Sequence, residues 1–161
     1  MKGTVLLLGV CALVSGCGDK QSSDKKSEVC LSIVKSLVTN PVTLQVNEIK
    51  LKEYPLDEAA LVRFQNDKFD GNVPPATVAY REMLLKDGVG LLQAYVTVDY
   101  TDKSSNQEFR DRALCHFVNT NSKYELSSIT IRNKHIGHKD LLFLFVRYGR
   151  PAGLDLLNKV E

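Results

Sequence analysis

Histidines, clustered carboxylates and a short basic run are the residues of this chain that could do chemistry. The histidines are His116, His135 and His138. A catalytic zinc takes three protein ligands and a water. His135 and His138 are close in sequence, and a strand carrying His116 could pass nearby. No carboxylate or cysteine stands near them at a familiar spacing, so the reading is two solvated loop histidines, one strand histidine and no metal. Residues Asn66 to Asn72 resemble a calcium loop only on the surface, because Lys68 brings a positive charge to a position that needs an oxygen donor. Asp99, Asp102, Glu108 and Asp111 gather about the turn at 101–107. Paired carboxylates can cleave a glycan. With Lys103, Arg110 and Arg112 beside them, cross-strand charge pairs are the simpler account. There is no nucleophile elbow and no phosphate-cradling glycine loop, so neither an enzyme nor a cofactor is expected. Arg132, Lys134, His135, His138 and Lys139 form a basic run before the tail. It could meet an anion, a lipid headgroup or an acidic partner, or simply be solvated. These five are the candidate partner-binding residues.

The front of the chain reads as an export signal. Lys2 is a short positive region, Val5 to Val14 is apolar, and Ser15-Gly16 are small residues at a cut site. The apolar run is too short to span a bilayer, which takes about 20 residues. Val14-Ser15-Gly16-Cys17 resembles the lipobox of bacterial lipoproteins. The resemblance covers the leader and its cysteine, and not the domain behind them. It implies that residues 1–16 are removed and that Cys17 becomes a diacylglyceryl-bearing, usually further acylated, N-terminus. Two or three acyl chains anchor a domain stably where one does not. Val14 departs from the commoner leucine. Gly18 follows the cysteine where an aspartate is associated with inner-membrane retention, which leans the location toward the periplasmic face of an outer membrane if the cell has two membranes.

If Cys11 leaves with the leader and Cys17 carries lipid, Cys30 and Cys115 are left as a pair in a compartment that permits disulfides. They are expected to bond, closing a long loop with a gain of roughly 4 kcal/mol. The alternative is two separate buried thiols.

The elements that must position these residues follow in order. Residues 17–28 carry the lipidated cysteine and a polar tether, with nothing apolar from Gly18 to Ser27. Residues 29–161 suffice for one domain with one core. Val29, Ile33, Val34, Leu37 and Val38 recur at helical spacing, and Asn40-Pro41 ends that helix. Residues 42–51 alternate as a strand with an irregularity near Asn47-Glu48, and 57–65 could be a short helix. The pattern predicts strands over 76–86, 89–101, 109–118 and 124–132, the first two joined as a hairpin at Asp87-Gly88. Tyr95, Thr97, Asp99 and Thr101 share one face of the second of these. Leu141 to Val146 is apolar all round and is helix or buried strand, and apolar residues continue from Leu154 to Val160.

The expected fold is α+β. A four- or five-stranded antiparallel meander is covered on one face by an N-terminal helix and C-terminal helical segments. Composition is ordinary for a folded domain, with 43% hydrophobic and 25% charged residues. A net charge of +2 gives no footprint for nucleic acid. The expected role is a non-catalytic, lipid-anchored envelope protein whose partners are the membrane, through Cys17, and another envelope component. It would serve as an accessory subunit of a secretion, conjugation or assembly system, or as an immunity, inhibitor or exclusion factor. A lipid or glycan carrier, or a cell-wall hydrolase with an unrecognised site, is the alternative.

Overall fold

The computed structural model describes residues 24–38, 40–87, 91–103, 108–120 and 123–151. Cys17, the leader, most of the tether and the apolar residues after Pro151 lie outside the described residues. The fold is α+β, as the sequence pattern predicts. One five-stranded antiparallel sheet has its strands in chain order: β1 (Leu44–Pro55), β2 (Leu92–Asp102), β3 (Phe109–Asn119), β4 (Tyr124–Ile131) and β5 (Lys134–Ile136). Among the described residues four helices join it: α1 (Lys25–Leu37), α2 (Glu58–Lys68), α3 (Pro75–Asp87) and α4 (His138–Tyr148).

Helix α1 begins inside the segment read as tether. The Asp24 side chain accepts from the Lys26 backbone N–H at 2.8 Å and so caps the first turn. Lys26 is buried, although its neighbours are polar. Its ammonium reaches Asp24 at 3.0 Å and Glu53 at 3.4 Å and sits 4.3 Å from the centroid of the Tyr124 ring. A lysine stem can cover apolar surface when its charge is held in this way. Val29, Cys30, Ile33 and Val34 form the buried stripe of α1.

That stripe lies on one face of the sheet. Opposite residues in an antiparallel pair share a face, so the register Val96–Cys115–Ile129 and Val98–Ala113–Ile131 defines the inner surface. Val96, Val98, Tyr100, Ala113, Cys115, Phe117 and Ile129 are all fully buried there against α1 and Leu141 of α4. Cys30 and Cys115 are joined by a disulfide with Cα atoms 5.9 Å apart, which staples α1 to the central strand β3.

Residues 76–86 are not a strand. They form α3, and the expected hairpin at Asp87 does not exist. Pro75 stands at the first helical position, where its missing N–H costs nothing, and Ala76, Ala79, Glu82, Met83, Leu84 and Leu85 are good helix formers. Only Leu84 of this helix is buried, so local propensity rather than a half-buried face decides its conformation. β2 instead pairs with β1, and α2 and α3 are inserted between these partners. The irregularity expected in β1 is a bulge between Val46 and Glu48.

β5 went unrecognised in the pattern. Arg132 and Asn133 turn β4 into β5 with positive φ of 51° and 58°, the two-residue turn of a tight hairpin. Asparagine tolerates that region, whereas arginine does not favour it. The Arg132 guanidinium donates to Asp102 at 2.8 Å, which anchors the turn to β2. Residues 138–148 are helix rather than buried strand. Asp67 at the end of α2 accepts from the His138 N–H at 2.8 Å and caps α4 from outside. A Cβ at Gly137 would stand 2.8 Å from that carboxylate, so the cap needs glycine there.

Candidate functional site

The second face of the sheet is the best-formed candidate site. Strand alternation puts Glu48, Lys50, Lys52 and Tyr54 of β1 on it, opposite Asp99, Thr97, Tyr95 and Gln93 of β2. The next row on β3 is Arg110, Arg112, Leu114 and His116. Helix α2 covers one end of this face, where Leu61 and Phe64 pack with Val118 in a small separate core. The rest is an open groove of about 510 Å³, walled by Lys50, Lys52, Tyr54, Tyr95, Asp99 and Arg112 among others.

Asp99 organises the charged end. It is 5% exposed, yet it sits among cations and an amide. Arg110 donates to its two carboxylate oxygens at 2.9 and 3.0 Å, Arg112 at 3.3 Å, and Asn47 at 2.9 Å. The β1 bulge explains the Asn47 contact, because the extra residue projects the amide toward Asp99 and Thr101. The Arg110 hydrogen bonds, followed by the one from Asn47, hold the Asp99 carboxyl far below the usual carboxylate range. Such an acid stays ionised near neutral pH and is a weak base there.

The other end is aromatic. Tyr95 stacks on His116 with centroids 4.6 Å apart, and Tyr54 meets Tyr95 edge-on at 6.0 Å. Gln93 Oε1 accepts the Tyr95 hydroxyl at 2.9 Å and lies 3.2 Å from His116 Nε2. Burial, with a smaller contribution from His135, pushes the His116 pKa down and favours the neutral ring. The array offers fixed charges, hydrogen-bonding groups and ring surface on one face of the sheet.

The carboxylates gathered about the 101–107 turn have separate partners, and Asp111 accepts from the Tyr100 hydroxyl at 3.3 Å. Asp99 and Asp102 are buried in ion pairs with Arg110 and Arg132, and Glu108 pairs with Lys103. The histidines have different partners. His116 stacks on Tyr95, His135 Nδ1 lies 3.3 Å from the Thr130 hydroxyl, and His138 packs edge-on against Phe64. Among the described residues no three histidine, cysteine, aspartate or glutamate side chains gather closely enough to hold a metal.

The basic run is divided by the β4–β5 hairpin. Arg132 and Lys134 line a groove with Arg147, Phe143 and Tyr148 beside α4. His135 and Lys139 line a different, smaller site with Asp67, Asp70 and Asp140, where Lys139 pairs with Asp70 at 2.9 Å, and His138 lines a third groove with Leu142 and Phe145. Cys17 lies outside the described residues.

Lys50, Lys52, Tyr54, Tyr95 and Arg112 were not singled out in the sequence as site residues. The alternation of β2 placed Tyr95, Thr97 and Asp99 together, but the row contributed by β1 depends on a pairing across two inserted helices. In comparisons with known proteins, no family model, no curated protein and no solved structure matched this chain.

Proposed function

We propose that this protein is a non-catalytic, lipid-anchored component of a bacterial envelope that recognises another envelope protein through the free face of its sheet. The observation that carries the reading is the open groove between Asp99 and Tyr95, whose charges and rings are held by a disulfide-stapled sheet. Protein partners are met by preformed surfaces with aromatic and arginine anchors and complementary charge. Asp99 is tied to two arginines, which suits a binding role better than proton transfer.

The lipid anchor rests on the leader and Cys17. Among the described residues no helix is long and apolar enough to cross a membrane. A tether holds the domain near a membrane-resident partner and raises its effective concentration there. An accessory subunit and an inhibitor or exclusion factor both fit this arrangement.

The test is crosslinking and affinity capture from intact envelopes. Wild type is expected to capture one dominant protein. Lys52→Glu with Arg112→Glu should abolish that capture while Cys17→Ser only weakens it. Capture that survives the double charge reversal would remove the groove as the contact surface, and copurifying glycan or lipid with no protein would turn the role to that of a carrier.

A further inference from the structure

Helix α4 is built the wrong way round for a helix that serves only the core. Leu141 is buried and Leu144 and Phe145 are half-buried, but Leu142 is 56% exposed, Phe143 67% and Val146 87%. Soluble domains rarely leave such a row of large apolar side chains uncovered. Basic residues rim it. Lys134 and Arg147 flank Phe143 on one side, and Arg150 lies beside Leu142 and Val146 on the other. The acids along these grooves are Asp140 and Glu125, and Glu125 is already paired with Lys68.

The position of this row relative to the start of α1 selects its occupant. Tyr124 lines the groove beside Leu142, Phe145 and Val146, and the same ring lies under Lys26 in the first turn of α1. The first turn of α1, the start of the described chain, therefore lies beside the apolar row of α4. The recognition groove lies on the opposite face of the sheet.

We propose that α4 lies in the headgroup layer of the anionic bilayer that holds the anchor, with Leu142, Phe143 and Val146 entering the acyl boundary and Lys134 and Arg147 meeting lipid phosphates. This rests on the anchored reading of Cys17. Apolar side chains flanked by cations are what an interfacial helix needs, and binding then draws on both buried area and anionic lipid. The sheet's free face is then turned away from the membrane toward its partner.

The chain has no tryptophan, so one introduced indole reports alone. Phe143→Trp places it on the apolar row, and Leu114→Trp places it on the far side of the sheet. Each full-length protein, purified with its native N-terminus, is reconstituted into phosphatidylglycerol vesicles with brominated acyl chains. The indole at 143 is expected to shift to the blue and lose about half its emission, while that at 114 is unchanged. No quenching at 143, or equal quenching at both sites, overturns the proposal. An indole at 143 that is already blue-shifted without vesicles also overturns it, pointing to residues 152–161 as the cover, and a shift that grows with protein concentration points to a second copy. Intact mass separates the two readings. A Cys17 without acyl groups removes the anchor, and quenching at 143 by added vesicles then still decides the role of α4. Phe143→Glu should abolish binding of the Cys17→Ser protein to phosphatidylglycerol vesicles. Undiminished binding would assign the contact to another surface.

Discussion

The two faces of the sheet carry similar numbers of side chains from the same strands and do opposite work. On the inner face Val96, Val98, Cys115, Phe117 and Ile129 are fully buried under α1 and joined to it through Cys30. On the free face Lys50, Lys52, Tyr95, Asp99 and Arg112 line an open groove. The inner face gains its stability from area removed from water and from close packing. The free face gains order from directional contacts, those of Asp99 to Arg110 and Asn47 and of Tyr95 to His116. One surface therefore tolerates little change in volume, and the other little change in charge. An antiparallel sheet permits this division because successive side chains alternate.

Substitution series should separate the two faces. The largest effect is expected for Phe117→Ala, which should cost about 3–5 kcal/mol in denaturant unfolding, whereas Leu114→Ala on the free face should cost under about 1 kcal/mol. Similar losses at both positions would mean that the free face is covered in solution. Removing the staple comes next. Cys30→Ala with Cys115→Ala should lower stability by about 3–4 kcal/mol, in line with a closed loop of 85 residues. Identical unfolding curves with and without reductant would show that α1 is held by packing alone. Arg112→Glu added to Lys52→Glu sets a second carboxylate beside Asp99 and should abolish partner capture at a cost in stability, whereas Lys52→Glu alone should weaken capture and shift stability by less than about 0.5 kcal/mol. A large destabilisation by Lys52→Glu alone would make that charge structural.

The smallest expected effects are in pH dependence, and they differ in sign between the faces. On the free face the folded pKa values of Asp99 and His116 are both lowered, Asp99 by its arginine and asparagine hydrogen bonds and His116 by burial. The unfolded chain then binds more protons than the folded one as pH falls. His116 should begin to cost stability below about pH 6.5, and Asp99 below about pH 4. Tyr124, the first residue of β4, whose ring lies under Lys26 of α1, is pushed up to about 12 by burial and by Glu53, whose carboxylate accepts its hydroxyl at 2.7 Å. Its contribution is complete below about pH 10 and is lost as pH rises from there to about 12. Melting temperature followed across pH in wild type, Arg110→Ala and Tyr124→Phe checks both windows. Arg110→Ala should flatten the acid limb, and Tyr124→Phe the alkaline one.

Sequence pattern reached the α+β class, the first helix, the bulge in β1 and the order of β2, β3 and β4. Each depends on signals within about ten residues, namely apolar periodicity and turn residues. It failed at α3, where an apolar sprinkling from Val78 to Leu85 reads as a strand, while helix propensity and a leading proline decide otherwise. It also failed at β5, because the turn places arginine at positive φ on the strength of an ion pair to Asp102, 30 residues earlier. In the basic run, that same hairpin sends Arg132 and Lys134 to one groove and His135 and Lys139 to another, while His138 lines a third.

Taken alone, the sequence carries what short-range chemistry can encode: the apolar residues before Cys17 on which the proposed anchor rests, polar residues after it, and two cysteines that can close a loop. Tertiary structure decided which residues share a surface. The row of Lys50, Lys52 and Tyr54 meets Tyr95 and Arg112 only because β1 pairs with β2 across two inserted helices. The apolar row of α4 is outward only because Leu141, Leu144 and Phe145 take the inner positions against the sheet. A one-residue slip of β1 would exchange its faces, a rotation of α4 about its axis would bury its outer row, and local sequence holds no record of which neighbour will be there to receive them.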